Sequence, residues 1–208
     1  MKKPVIVVHG GAELWRPERR RAGVSGVKKA AKAGYEVLQR DGTALDAVET
    51  AVMCMEDNEV FNAGLGSVYS IDRRIEMEAS IMDGKTLNAG ATGLLTDVKN
   101  PVHLARIIME NTDHVLIVGN GAEKLARLFG LERRDPSTEL RMQDWHELKE
   151  KLRKDDVDHL RRLHKLTASY PQLFDLETVG AVALDKNNDT AAATSTGGYS
   201  LKFPGRIG

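Results

Sequence analysis

Two short runs near the end of the chain show how apolar and polar positions are distributed. Leu176-Glu-Thr-Val-Gly-Ala-Val-Ala-Leu-Asp185 sets Val179, Val182 and Leu184 among small residues and stops at a polar turn, Asp185-Lys-Asn-Asn-Asp189. Thr190 to Thr196 follows as a second run, closed by Gly197-Gly198. Strand-forming stretches on either side of an Asn-rich turn predict a β-hairpin. With 186–188 as the loop, Asp185 faces Asp189 and Thr178 faces Thr196. Neighbouring strands lie about 4.8 Å apart, so the two hydroxyls then share one small site. A two-residue loop would shift the register by one and part them. On pattern alone, two threonines chosen for strand propensity explain the hairpin equally well.

Upstream, Val5 to Val8 predicts a buried first strand that turns at His9-Gly-Gly-Ala12. A basic run, Arg16 to Arg21, leads into Val27, Ala30, Ala31 and Leu38 at helical spacing, and Asp41-Gly42 ends that helix. Thr43 caps a second helix, with Asp46 in the capping-box position and a stripe of Ala44, Ala47, Val48, Ala51 and Met55. Such small residues let both helices lie close to a sheet as one outer layer. Met55 to Ser67 is a glycine-punctuated loop. Val68–Ile71 and Ile75–Met82 predict a second hairpin around Asp72-Arg-Arg74, with Glu76, Glu78 and Ser80 on its polar face. Two carboxylates there permit acid–base work, and an exposed or hydrogen-bonded strand face is the plainer reading. Asn100-Pro101 opens a helix with Leu104, Ile107 and Ile108 in its core stripe. Val115 to Val118 is a short strand, and Gly119-Asn-Gly-Ala-Glu-Lys124 runs from it into a helix ending near Gly130.

From Arg133 the texture changes. Asp144 and Glu147 form a capping box, Trp145, Leu148 and Leu152 recur helically, and Leu160, Leu163 and Leu166 continue beyond Lys154-Asp-Asp156. Dense charges of both signs and the closing Tyr170-Pro171 predict a semi-independent, mobile helical linker.

Composition narrows the class. Lys plus Arg number 30 and Asp plus Glu number 30, which argues against a nucleic-acid footprint. The single Cys54 permits no internal disulfide and suits a reducing cytoplasm. The apolar run after Lys2-Lys3 stops at His9, too short for a signal peptide or a membrane span. A soluble cytoplasmic protein is expected, and 208 residues suffice for one domain with a sizeable core. The strand, Gly-x-Gly turn and helix at Gly119–Lys124 are similar to a nucleotide-binding fingerprint, but Lys124 stands at the third glycine position. A nucleotide-binding module is therefore the rival from another class, and a purely structural fragment is a third reading.

Thr178-Val-Gly-Ala-Val-Ala followed by Thr194-Ser-Thr-Gly-Gly198 resembles the nucleophile region of plant-type L-asparaginases and isoaspartyl peptidases, which are N-terminal nucleophile hydrolases. His9-Gly-Gly-Ala12, Phe61-Asn-Ala-Gly-Leu-Gly-Ser67, Glu76-Met-Glu-Ala-Ser-Ile-Met-Asp-Gly84, Val98-Lys-Asn-Pro101 and Gly205-Arg-Ile-Gly208 agree in order and spacing. The likeness covers the chain except for roughly 131–175, where the family carries a disposable linker.

The resemblance implies an α+β fold, a four-layer αββα sandwich that is incomplete here. It also implies an α-subunit core at 1–132, a linker at 133–177, and the start of a β subunit at 178–208 that folds with the core. Cleavage between Glu177 and Thr178 would turn Thr178 into an N-terminal nucleophile supported by Thr196 and Asn62, with Arg206 and Gly198 meeting the substrate. His9 receives no chemistry. No organic cofactor is implied; a structural sodium ion is, on the main-chain carbonyls of Met55, Glu56, Asn58, Phe61, Ala63 and Leu65. The activity implied is hydrolysis of L-asparagine and β-aspartyl dipeptides, by a homodimer of processed αβ units. A glycosylasparaginase-like amidase is the near alternative, although those relatives tend to place Asn where Gly197 stands. Two departures stand out. Glu177 replaces the usual glycine before the nucleophile, and the family pattern continues beyond Gly208 with an amine-binding aspartate and an oxyanion-hole segment. A truncated precursor, inactive or nearly so and prone to associate, is the expectation.

Overall fold

In a computed structural model describing residues 3–12, 15–153 and 178–207, the described residues form one six-stranded sheet and five helices. In chain order the elements are β1 (Val5–His9), α1 (Pro17–Gln39), α2 (Ala44–Glu56), β2 (Met77–Asp83), β3 (Ala89–Leu95), α3 (Pro101–Asn111), β4 (Leu116–Val118), α4 (Gly119–Leu128), α5 (Glu139–Arg153), β5 (Val179–Leu184) and β6 (Thr190–Thr196). The strands run β1-β5-β6-β2-β3-β4 across the sheet, antiparallel except for the parallel β3–β4 pair.

The β5–β6 hairpin lies inside the sheet, between β1 and β2. Val179 pairs with Ser195 and Leu184 with Thr190, the register a three-residue loop demands. Asp185 locks that loop. It is 1% exposed, and its carboxylate accepts the backbone N–H groups of Asn187 (2.8 Å) and Asp189 (3.1 Å). The same carboxylate takes the N–H of Ala44 at the start of α2 (3.2 Å), which fixes hairpin and helix together. Thr43 and Asp46 form the predicted capping box on the same helix.

Alternation along the strands sorts the two faces. Val179, Ala181 and Ala183 of β5 and Ala191 and Ala193 of β6 are buried in one cluster with Ala47, Val48, Ala51 and Met55 of α2. Small residues keep the layers close: a Cβ on Gly34 of α1 would lie 2.7 Å from the Ala47 carbonyl oxygen. Among the described residues no helix covers the opposite face, and Val5, Val7, Met82 and Val182 are exposed on it. The fold is mixed α+β. The described residues form two of the four expected layers, one helical and one of sheet.

Three elements differ from the sequence pattern. Residues 68–71 make no strand; a tight turn follows, with Ser70 and Arg74 bonded back to back, and Tyr69 and Ile71 bond Leu201 and Lys202 instead. The partner of β2 is β3, whose Ala-Gly-Ala-Thr-Gly run carries too few apolar side chains to signal a strand. Helix α5 begins ahead of the predicted Asp144 cap. Thr138 accepts the Arg141 N–H there, while Asp144 takes a fork of two bonds from Arg19 (2.7 and 2.8 Å). Residues 133–153 are tied to the body, through an Arg133–Val98 bridge and the Arg141 and Trp145 side chains. The predicted continuation at Leu160, Leu163 and Leu166 lies outside the described residues.

Candidate functional site

Thr178 immediately precedes β5, so the hairpin register carries it opposite Thr196. On the other side of β6, Thr196 pairs with Glu78 of β2. Glu78, Thr196 and Thr178 thus form a row across three strands, on the face turned away from the helices. In the next row the Ser80 and Thr194 hydroxyls bond each other at 2.9 Å. A cavity of about 450 Å³ opens over these rows, lined by Glu78, Thr178, Thr194, Thr196, Gly198 and Arg206. Glu177, and with it the peptide bond to Thr178, lies outside the described residues.

The turn after β6 shapes the cavity wall. The Thr196 hydroxyl oxygen accepts the Gly198 N–H at 2.9 Å, and Gly198 has a φ of +80°, which a side chain would strain. Asn62 is fully buried beneath this turn. Its amide nitrogen donates to the Gly198 carbonyl (2.5 Å), its amide oxygen accepts the Val68 N–H (2.9 Å), and its own carbonyl accepts the Gly197 N–H (3.1 Å). These bonds hold the turn in place beside the facing threonines. Arg206 lies further along, its guanidinium stacked 4.6 Å from the centre of the Tyr199 ring. Tyr199 is itself packed with Leu201 beside Trp145 and Leu148 of α5.

The side-chain partners of Lys202, Glu76, Glu78 and Glu56 were not legible in the sequence, which set Glu76 and Glu78 only on a polar strand face. Lys202 is fully buried; its ammonium donates to the Glu76 carbonyl (2.7 Å) and to the Glu78 carboxylate (3.3 Å). Burial pulls the Lys202 pKa down, opposed by Glu78 and Glu76 and assisted by Arg206. Glu76 in turn accepts the Gly205 N–H at 2.8 Å. The polar face of β2 is therefore hydrogen-bonded rather than exposed, and Glu78 is 4% exposed. Glu56 lies on the helix side of the sheet, fully buried. It accepts the Val102 N–H (3.0 Å) and the Asn100 amide (3.1 Å), so Asn100 serves Glu56 and makes no cap for α3. Burial pushes the Glu56 pKa from the usual 4.5 to about 7, against the pull of Ser195, Val102 and Asn100. Of these, only the Lys202-Phe-Pro-Gly-Arg206 run and the alternation of Glu76 with Glu78 left any trace in the sequence.

The loop read as a sodium site can be tested by its oxygens. The Glu56 carbonyl already accepts the Leu65 N–H (2.8 Å) and the Arg134 guanidinium (3.0 Å), and Arg134 also pairs with Asp57 at 2.8 Å. The Met55 and Asn58 carbonyls accept the N–H groups of Asn58 and Phe61. Arg141 reaches the same loop from α5, donating to the Gly66 (2.6 Å) and Val60 (3.3 Å) carbonyls. With both lone pairs of the Glu56 carbonyl engaged, one of them by a guanidinium, that oxygen does not fit a cation. Among the described residues no cluster of His, Cys, Asp and Glu could hold a metal ion, and no helix is long and apolar enough to cross a membrane.

His9 lies over Gly180, where an added Cβ would sit 2.4 Å from its ring nitrogen. The Gly119–Lys124 turn does join a strand to a helix. However, β4 is the edge strand of a sheet that is otherwise antiparallel, so no crevice forms between parallel strands of opposite wind.

Facing threonines and a fork-shaped cation in one cavity suit nucleophilic attack on a small carboxylate-bearing amide, once a base is at hand. Comparison with known proteins points the same way. A family model described as Asparaginase matches residues 2–208. A plant-type L-asparaginase of Pyrococcus abyssi is 52% identical over 98% of this chain and 66% of its own length. One of Thermococcus kodakarensis is 51% identical with the same coverage. An isoaspartyl peptidase/L-asparaginase of Danio rerio is 42% identical over 99% of this chain and 63% of its own. The chain thus spans about two thirds of the length of these relatives, 63–66%.

Proposed function

Because this chain belongs to the asparaginase family, we propose that it supplies the nucleophile of a hydrolase that converts L-asparagine to L-aspartate and ammonia and cleaves β-aspartyl dipeptides. The observation that carries this reading is Thr178 opposite Thr196 in one cavity with Arg206.

The chemistry follows from the chain's own groups. A threonine hydroxyl is a poor nucleophile until a base removes its proton. Cleavage of the Glu177–Thr178 bond creates that base as an α-amine, whose ordinary pKa of about 7.7–8.0 leaves a useful neutral fraction at working pH. In that cleavage the Thr178 Oγ attacks the Glu177 carbonyl carbon, the C–N bond breaks, and water hydrolyses the resulting ester. In turnover, the amine takes the hydroxyl proton as Oγ attacks the side-chain amide carbon. The proton passes to the leaving ammonia or amino acid, and water releases aspartate from the acyl-enzyme. Thr196 holds the Thr178 hydroxyl or amine, and Arg206 takes the substrate α-carboxylate on two N–H groups.

The reading extends to a cytoplasmic enzyme that assembles as a dimer of processed αβ units, with no organic cofactor. It does not extend to a sodium ion on the Glu56 carbonyl. Gly197 after Thr196 weighs against a preference for glycosylated asparagine. The test is intact mass after prolonged warming at mildly alkaline pH. The expected result is two pieces, one ending at Glu177 and one starting at Thr178, absent in Thr178→Ala. A single unchanged mass in the full-length protein would overturn the proposal. Turnover of asparagine, β-aspartyl-leucine and a glycosylated asparagine then ranks the substrates.

A further inference from the structure

Lys202 and Glu78 stand out because their burial is costly. One is fully buried, the other 4% exposed, and they meet at 3.3 Å. Taking two charges out of water is repaid only by good geometry and further hydrogen bonds. The ammonium has such a bond, to the Glu76 carbonyl at 2.7 Å. It also lies directly under the cavity wall, since an added Cβ on Gly198 would meet the Lys202 nitrogen at 3.0 Å. Glu78 is opposite Thr196 on the neighbouring strand, and Thr178 is one strand further. At about 4.8 Å per strand, the pair lies about 10 Å from the nitrogen of Thr178.

We infer that Lys202 and Glu78 are positioning residues for Thr178, a buried pair of opposite charges that closes the threonine row and sets the field in which the Thr178 amine takes up its proton. This rests on the reading of Thr178 as an N-terminal nucleophile. Among the described residues, Glu76, whose carboxylate is held by the Gly205 N–H, and Arg206, which is stacked on Tyr199, also face the pair, and the His9 ring lies over Gly180, two residues along β5 from Thr178. With both members charged their fields largely cancel at the amine. Loss of the Lys202 charge leaves a carboxylate, which favours the ammonium form. Loss of the Glu78 charge leaves a cation, which disfavours it.

The two losses therefore act with opposite sign, which a simple loosening of the turn would not do. The experiment is the pH dependence of kcat/KM in the processed full-length protein for the parent, Lys202→Met, Lys202→Arg, Glu78→Gln and the double variant Glu78→Gln/Lys202→Met. The acid limb is expected to rise by roughly half to one pH unit in Lys202→Met and to fall by a similar amount in Glu78→Gln. It should keep its place in Lys202→Arg and return in the double variant. Thermal melts identify any variant that does not fold, and the remaining single variant still carries its own sign. Activity that drops with the limb unmoved, or a limb moved the same way in both single variants, overturns the inference. A parent profile with no limb in the α-amine range instead overturns the Thr178 reading itself.

Discussion

A single hydroxyl carries the proposed chemistry, so Thr178 gives the sharpest residue-scale expectation. Thr178→Ala should lower turnover of asparagine by roughly three or more orders of magnitude while leaving the melting curve nearly unchanged, because the side chain is only half-buried at a strand end. Arg206 depends on Tyr199 for its pose. Tyr199→Ala should raise KM about two- to fivefold with kcat little changed, and Tyr199→Phe, which keeps the ring, should restore it. Glu56 predicts a pH dependence of stability. Its folded pKa of about 7 lies above the usual 4.5, so the folded state binds the extra proton. Stability from this group is full below about pH 4.5 and is lost as pH rises through about 7, a change on the order of 3 kcal/mol. Glu56→Gln should flatten that slope, and equilibrium unfolding at pH 5, 6, 7 and 8 would show it. A parent and variant falling in parallel over that range would contradict the assignment.

At the scale of elements, the hairpin register decides whether Thr178 and Thr196 meet, and Asp185 holds the register through three backbone N–H groups from its own loop and from α2. Asp185→Ala should cost about 3 kcal/mol in denaturant unfolding, since one buried and two part-buried donors lose a charged acceptor. The loop 55–67 is gathered by Arg134 and Arg141. Cations supplied by the chain itself predict that replacing sodium with choline leaves the melting temperature unchanged, whereas Arg141→Met lowers it. A marked loss of stability on sodium removal would show that the loop holds an ion after all. Helix α5 belongs to the same set of supports: its Trp145 and Leu148 pack with Tyr199 around Leu201, so a segment read as a linker is part of the body next to the site.

At the scale of the whole molecule, the helix layer formed by the described residues covers one face of the sheet and not the other. Val5, Val7, Met82 and Val182 together make a larger apolar patch than scattered surface residues do. The 208-residue chain should therefore bind a hydrophobic dye and self-associate at micromolar concentration. Val182→Lys, at the middle of the patch, should reduce both, as sedimentation would report. An unchanged, monodisperse parent chain would show that the patch is inert.

Much of the local structure was legible because it depends on neighbours in sequence. The Thr43–Asp46 capping box, Pro101 at the start of α3, the stripe of α2 and the three-residue loop are short-range facts that a few side chains impose on their own backbone. The site residues quoted from the family resemblance were legible only as a pattern, since nothing in the spacing of Asn62 or Arg206 says what either one touches. Long-range order was out of reach for a physical reason: burial and pairing belong to residues far apart in the chain. That β3 pairs with β2, that Asn100 turns to Glu56 rather than to its own helix, and that Lys202 finds Glu78 across 124 positions all required the sheet to assemble first. The sequence by itself determined α1 to α4 and the hairpin turn that sets the threonines face to face. Tertiary structure alone decided which charges are buried behind them, because the cost of burying a charge exists only once water has been excluded.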